Sequence, residues 1–389
     1  MTSPTTDESA MRLPLDGVRV VALEQAVAAP LCSRHLADLG ADVVKIEHPN
    51  GGDLARHYDH VVNGLAAHWV WLNRGKRSVA LDVKQPADHA VLEALLARAD
   101  VFLHNFGPGA VDRLGFDWPT IHARWPRLIS CAISGYGMDG PYRNRKAFDL
   151  LLQGESAIIS VTGTPEAPAK VGISIGDIGA AMYGLSSILA ALIERERTGE
   201  GRLIDISMLD CLSEWIMPPL LYQMKGLETP RAGMRHAMIV PYGPYRTGDG
   251  ESVSLAVQTE AQWARLCTDV LHRPEWIEDP RFRSTPLRVQ NRAILEPLIE
   301  EALAPYTRAT AQEALEAADI PYGALNDVAD LLAHPQHAAR ERWFEVGSEA
   351  GPVPALAHPF NVVGMPRRAA RIPALGEHTD EVKRELGLA

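Results

Sequence analysis

Cysteine is scarce in this chain: Cys32, Cys131, Cys211 and Cys267 are the only four in 389 residues, and no two form a C-x-x-C pair. That excludes a zinc knuckle and a dithiol redox motif, and no metal-ligand set is expected. Cys131 and Cys211 lie in or beside apolar runs, so the four read as buried, reduced thiols of a cytoplasmic protein. The first dozen residues, MTSPTTDESAMR, lack the apolar core of a signal peptide and read as a disordered tail over 1–12. No apolar run approaches the length of a membrane span, so no membrane is expected as a partner. Positive charge is in deficit, and the net −11 argues against nucleic acid or an anionic bilayer as the main partner. Internal repeats and low-complexity segments are absent too. A hydrophobic content of 46% with 22% charged residues is that of a soluble globular protein.

What is present is an alternating pattern. Short apolar runs at Val18–Leu23, Val43–Ile46, Ser78–Leu81, Val101–His104 and Leu128–Ser134 predict strands. Helices are expected between some of them, at Pro30–Leu39 (stopped by Gly40), Ala87–Ala99 and Pro119–Arg124. Continuous apolar strands separated by helices predict an α/β fold, a Rossmann-like doubly wound and mostly parallel sheet covered on both faces. The dinucleotide fingerprint is missing, because Glu24-Gln25-Ala26-Val27-Ala28-Ala29-Pro30 after the first strand contains no glycine. Without glycine the backbone cannot close on a pyrophosphate, which disfavours an NAD-dependent dehydrogenase. A small-residue helix at Ile178–Glu196, a strand at Leu203–Ser207 and an apolar helix from Leu209 complete a large domain over 13–225. A linker rich in Gly, Pro and Arg leads into a smaller α+β domain, the two together covering 226–325. Its strands are expected at Pro241–Arg246 and Val253–Val257 and its helices at Glu260–Val270 and Leu287–Ala304. Residues 326–389 are expected to return to the large domain and to close with a helix near Glu381–Leu386.

The chemistry concentrates at Val171-Gly172-Ile173-Ser174-Ile175-Gly176-Asp177-Ile178-Gly179, where an apolar run meets the start of the long helix. A carboxylate there can cap the helix or act as a nucleophile, and both readings stand at this point. Glycine on either side would let another molecule approach it closely. Two basic clusters, Arg74/Lys76/Arg77 and Arg143/Arg145/Lys146, could gather an anion on an acidic protein or could be solvated loops.

Six segments then fall in a recognisable order. They are Leu15-Asp16-Gly17-Val18-Arg19-Val20, Leu36-Ala37-Asp38-Leu39-Gly40-Ala41-Asp42-Val43-Val44-Lys45-Ile46-Glu47 and Asn73-Arg74-Gly75-Lys76-Arg77-Ser78. Asn105-Phe106-Gly107-Pro108-Gly109, Gly176-Asp177 and Leu375-Gly376-Glu377-His378-Thr379-Asp380-Glu381-Val382 complete the set. Together they resemble the class III CoA-transferases (CaiB/BaiF type), a family that also contains the 2-methylacyl-CoA racemases. The resemblance implies acyl-CoA and a free carboxylate as partners, coenzyme A as substrate with no tightly bound cofactor, and an interlocked homodimer of ring-like chains. It implies Asp177 as the nucleophile, with Asp149 as a supporting acid, and transfer through an aspartyl anhydride and an aspartyl-CoA thioester. It also implies a CoA channel lined by Lys76, Asn105, Phe106, Arg113, Lys146 and Met208, with His48 where the family often has an arginine beside adenine.

The branches of the family differ at readable positions. The racemases carry a histidine immediately before the Asp of the Ala-Phe-Asp element. Here Phe148 stands there, and it cannot transfer a proton, so racemase is the alternative reading. The oxalate/formate branch has a glycine-rich lid and a substrate-facing glutamine, whereas residues 237–257 contain no glycine run and Val27 takes the glutamine's place. The stretch 231–243, with Gln258 to Trp263, looks more like the branch acting on short branched dicarboxylates such as mesaconate. There Arg235 and His236 could bind a second carboxylate or be a plain surface pair. A non-catalytic acyl-CoA-binding protein would have the same fold and is the alternative of another class.

Overall fold

The structure is a computed structural model that describes residues 12–368 and 370–388. Residues 1–11 of the expected tail lie outside the described residues. In chain order the first elements are β1 (Arg19–Leu23), α1 (Ala28–Asp38), β2 (Asp42–Glu47), α2 (Ala67–Leu72), β3 (Lys76–Ala80) and α3 (Pro86–Leu96). Next come β4 (Val101–His104), α4 (Trp118–Arg124), β5 (Ile129–Ser134), α5 (Asp149–Glu155), α6 (Ile158–Val161), α7 (Ile175–Thr198), β6 (Leu203–Ser207), α8 (Met208–Trp215) and α9 (Met217–Met224). The remainder holds β7 (Tyr242–Arg246), β8 (Ser252–Ala256), α10 (Glu260–Arg265), α11 (Thr285–Gln290), α12 (Arg292–Leu303), α13 (Arg308–Ala317) and β9 (Tyr322–Gly323). It closes with α14 (Val328–Leu332), α15 (Pro335–Ala339), β10 (Trp343–Val346), β11 (Val353–Leu356) and α16 (Thr379–Leu386).

The described chain divides into two compact units. One contains the residues up to Ser156, Gly172–Trp215 and those from Ala338 onward; the other contains Ala157–Val171 and Ile216–His337. The stretch expected to be a linker thus belongs inside the second unit. Its Arg231 guanidinium donates to the carbonyls of Thr164, Ser160 and Pro165, and Gly233 N–H donates to Gly163 C=O. Those bonds fold residues 157–171 onto the supposed linker, a pairing no local pattern displays.

The first unit is built on a six-stranded sheet in the order β3-β2-β1-β4-β5-β6, every neighbouring pair parallel. This is the doubly wound Rossmann order, with its reversal between β1 and β4. Val21, Leu23, Val44, Ile46, Val79, Leu81 and Phe102 face one side, packed with Val91, Leu92 and Leu96 of α3, Ile121 of α4 and Val382 of α16. The alternate residues face α1 and α7, which pack on each other across the second face. Gly184 of α7 leaves room there for Ile133 and Cys32, whose atoms lie 3.3 and 3.5 Å from where a Cβ would stand. All four cysteines are free and buried.

α7 corrects one expectation. By length and composition its 24 residues could cross a membrane, although half of its most apolar window is buried inside the protein. A helix walled by protein on much of its surface needs apolar residues around most of its circumference, and so does a membrane span.

The exposed edge of β3 is closed by the chain terminus. Ala80 N–H donates to Thr379 Oγ1 at 2.9 Å, and His378 N–H donates to Ser78 C=O at 3.0 Å. The return of the C-terminal segment is thereby fixed at the backbone of an edge strand.

The second unit has an antiparallel sheet, β7-β8-β9, over a core that includes Tyr245, Val253, Leu255, Trp263, Leu295, Ile299 and Leu315. The long helix expected over Leu287–Ala304 is two helices. Asn291 ends α11 by donating its side-chain amide to the Leu287 carbonyl at 2.9 Å. The helix expected over Glu260–Val270 likewise changes to a π-turn at Leu266.

Candidate active site

α7 begins one turn earlier than its apolar pattern suggests, at Ile175, with Ser174 as an N-cap residue whose side chain caps nothing. Asp177 therefore lies inside the first turn, and the capping reading of this residue does not hold. The cap comes from Asp149, the first residue of α5, whose Oδ1 accepts the Gly176 N–H at 2.7 Å. Its Oδ2 accepts from Gln153 Nε2 at 2.7 Å. Asp149 is thus oriented at both oxygens, and the charge it brings to the helix N-terminus is favourable.

The Asp177 carboxyl makes no side-chain hydrogen bond among the described residues and is half-buried. Burial and the nearby charge of Asp149 push it from its ordinary 3.8 up to about 7. A carboxylate with no partner, raised basicity and little water is a better nucleophile than one in solution. Asp149→Asn keeps an acceptor for the Gly176 N–H but removes the like charge. It is expected to lower the pH at which Asp177 ionises, read from a carboxyl-carbon NMR titration.

The glycines beside Asp177 serve the protein's own packing. A Cβ on Gly176 would meet Asp149 Oδ1 at 3.1 Å and Leu212 Cδ1 at 3.2 Å, with Met208 Cε at 3.5 Å. One on Gly179 would meet the Trp215 ring at 2.7 Å. Only Gly172 of this stretch faces open space, with nothing within 4 Å of its Cβ position. Met208 is buried at the start of α8, against the turn that carries Asp177. Tyr58, which the sequence reading missed, lies within electrostatic reach: burial, then Asp53 and Asp177, push its phenol upward.

A crevice is expected where the strand order reverses, outside the carboxyl ends of β1 and β4. There the Asn105 side chain donates to Gln25 C=O at 2.8 Å and accepts Gln25 N–H at 3.0 Å. Phe106 packs half-buried against the sheet core. Arg113 and Lys146 are exposed and form no side-chain hydrogen bond among the described residues. His48 is exposed at the end of β2, its Nδ1 accepting from Asn50 N–H at 3.1 Å.

Lys76 is placed elsewhere. It opens β3, fully buried on the α1 face, and its three donors go to Glu24 Oε1 (2.7 Å), Pro30 C=O (2.9 Å) and Asn73 Oδ1 (3.0 Å). None is left for a ligand. Arg74 and Arg77 are likewise committed, to Asp38 and to Asp42 with Glu385. The exposed ammonium past the carboxyl end of β3 is Lys84; its neighbour Asp82 is held below the usual carboxylate range by the Gln85 amide and the Lys84 N–H, with smaller help from the charges of His48 and Lys84. Its position just past a strand end was the signal available in the sequence.

Arg235 and His236 lie in the second unit, beside a cavity of about 500 Å³ over the outer face of β7 and β8. Arg235 is not free to bind a carboxylate of a ligand. It donates to Glu296 at 2.9 Å, to Glu300 and to Pro244 C=O, and its guanidinium lies 4.5 Å from the Tyr245 ring centre. His236 stacks on Tyr242, ring centres 5.1 Å apart, and burial with Arg292 lowers its pKa, which favours the neutral ring. The cavity is therefore poor in positive charge.

Among the described residues no group of three or more His, Cys, Asp or Glu side chains could hold a metal ion. The sequence matches the family description "CoA-transferase family III" over residues 15–379. It is 34% identical to the succinate–glutarate CoA-transferase of Agrobacterium fabrum, covering 98% of each chain. It is 33% identical to the succinyl-CoA–D-citramalate CoA-transferase of Chloroflexus aurantiacus, over 96% of this chain and 94% of that one. A crystal structure of a CaiB/BaiF family protein from Brucella suis superposes with a TM-score of 0.83 at 35% identity, covering 97% of this chain and all of the other. With a parallel six-stranded sheet of this order, a full-length sequence match and relatives of the same kind, the chain belongs to CoA-transferase family III.

Proposed function

We propose that this CoA-transferase works through Asp177 and takes a short dicarboxylate, branched ones such as mesaconate included, as acyl partner. The observation that carries the covalent route is the state of Asp177: without a hydrogen-bond partner among the described residues, raised to about 7, and relieved of capping by Asp149. Its carboxylate attacks the donor thioester carbonyl, the C–S bond breaks, and CoA thiolate leaves a mixed anhydride. The thiolate then attacks the aspartyl carbonyl, forming an aspartyl-CoA thioester and releasing the donor carboxylate. The acceptor carboxylate attacks that thioester, and the thiolate returns to the acceptor's acyl carbon, regenerating Asp177. A weak nucleophile and a water-sensitive anhydride make positioning and exclusion of water the main requirements.

The crevice at β1 and β4 is read as the CoA site. Asn105 and Phe106 form its floor, and Arg113, Lys146, His48 and Lys84 are the groups free to meet phosphate. The dicarboxylate reading draws on the named relatives; Arg235, neutralised by Glu296 and Glu300, lends it no support. Racemisation is the weaker reading, since Phe148 offers no proton and is 68% exposed. We also infer a homodimer, because Phe148, Leu150, Leu151 and Ile173 leave large apolar side chains uncovered. Four free, buried thiols fit a cytoplasmic setting.

The test is chemical trapping. Protein incubated with an acyl-CoA and then hydroxylamine should carry a hydroxamate on Asp177, identified by peptide mass spectrometry. A peptide that stays unmodified across a panel of CoA esters would favour a non-catalytic CoA-ester binder. Sedimentation that returns a monomer mass at micromolar concentration would remove the dimer.

A further inference from the structure

Three consecutive residues at the end of β1 are each held from a different direction. Glu24 is buried and accepts from Lys76 Nζ at 2.7 Å, Ser33 Oγ at 2.7 Å and Lys45 Nζ at 3.3 Å. Gln25 has both backbone groups bonded to the Asn105 side chain. Ala26 N–H donates to Asp53 Oδ1 at 2.8 Å, and the other oxygen of Asp53 takes Lys45 Nζ at 2.7 Å. Lys45, Lys76, Glu24 and Asp53 are all buried, which is a costly way to decorate a turn.

The turn itself explains the investment. Ala26 has φ 63, the left-handed region that a Cβ disfavours and that glycine would occupy freely. In sheets of this strand order that corner is where ligands are met, and dinucleotide-binding versions place glycine there. This chain has alanine and holds it with charge. Asp53 reaches the strained residue directly, and Asp53 N–H is itself tied to Glu47 Oε1 at 3.1 Å.

We propose that Asp53, backed by Lys45, Glu24 and Lys76, is a positioning residue that locks the Gln25–Ala26 turn in its left-handed form and so presets the crevice for CoA. The proposal rests on reading that crevice as the CoA site. Asp53 acts through the Ala26 backbone and touches no substrate.

The experiment measures CoA binding by calorimetry, with melting temperature, for the full-length parent, Asp53→Asn, Ala26→Gly and the double variant. Asp53→Asn keeps one oxygen for the Ala26 N–H but turns an NH2 toward the Lys45 ammonium, which pushes the side chain off the turn. CoA binding is expected to weaken about tenfold, because a small displacement of a binding element is enough to do so. Ala26→Gly alone should stay within about threefold of the parent, since glycine reaches the same φ without strain. The double variant should regain most of the lost affinity, since glycine holds the left-handed turn without the help of Asp53. A loss of packing alone would not be repaired by removing a methyl group. Asp53→Asn binding CoA as the parent does would overturn the proposal, and so would a loss that Ala26→Gly leaves untouched. If Asp53→Asn does not fold, Ala26→Val raises the strain with every charge in place: weaker CoA binding supports the lock and unchanged binding refutes it. A parent that fails to bind CoA sinks the crevice reading, and this proposal with it, while leaving Asp177 trapping as a separate question.

Discussion

Asp177→Asn is expected to abolish CoA transfer and, in neutral or alkaline buffer, to make the protein more stable. Transfer should fall by roughly three orders of magnitude or more, since the attacking group is gone. The stability gain follows from the position of its pKa. Burial holds Asp177 at about 7, above the ordinary 3.8 of the unfolded chain. Between those values the native state keeps a proton that the unfolded state has shed, so stability declines as pH rises through the window. Above about 7 both states are ionised and the full penalty is present. A shift of this size corresponds to at most about 4 kcal/mol, and partial exposure reduces that to roughly 1–3 kcal/mol. Asparagine carries no such penalty. Urea unfolding of the two proteins should therefore coincide below pH about 4, separate progressively as pH rises to about 7, and stay apart by a constant amount above it. Equal stability at all pH values would mean that Asp177 is ionised as easily in the folded protein as in water.

Lys76→Met should act on folding and leave the phosphate contacts of CoA alone. It strands Glu24, whose side chain has no exposed surface, with Lys45 and Ser33 only. Removing one partner of a buried ion pair costs about 3–5 kcal/mol, which chemical denaturation would resolve easily. Because the Lys76 ammonium already donates to Glu24, Pro30 and Asn73, the ionic-strength dependence of CoA binding should stay as in the parent. Lys84→Met is the counterpart: stability within about 0.5 kcal/mol of the parent, as for an exposed side chain, and a flatter salt dependence. A Lys76→Met protein of parental stability whose CoA binding has lost its salt sensitivity would return Lys76 to the channel.

Much of the first unit could be read from sequence because its signals are local. A parallel strand buried on both faces is a short apolar run, and Val101–His104 and Leu203–Ser207 fall where the pattern puts them. What the residues could not reveal was the destination of long side chains. Lys76 and Lys84 look alike on paper, yet one starts β3 and turns inward while the other lies past its end. Arg235 next to His236 suggested a carboxylate site, and its partners Glu296 and Glu300 lie some sixty residues away on α12. The capping question at Asp177 had the same character, since its answer is Asp149, which takes the Gly176 N–H from 27 residues earlier in the chain. Residues 157–171 could not be assigned to the second unit for that reason too, since they are claimed by Arg231 from far along the sequence.

The way the terminus closes β3 has a consequence for biosynthesis. The second unit is nearly continuous in the chain, apart from residues 157–171, whereas the first needs residues at both ends. Ser78 and Ala80 receive their partners only when Gly376, His378 and Thr379 have left the ribosome. Until that moment β3 is a bare parallel edge at the side of an otherwise formed sheet, open to pairing with any extended segment nearby. A chain lacking Gly376, His378 and Thr379 would therefore keep Asp177 and most of the first unit's core, and would still present the unpaired flank of β3 to its neighbours.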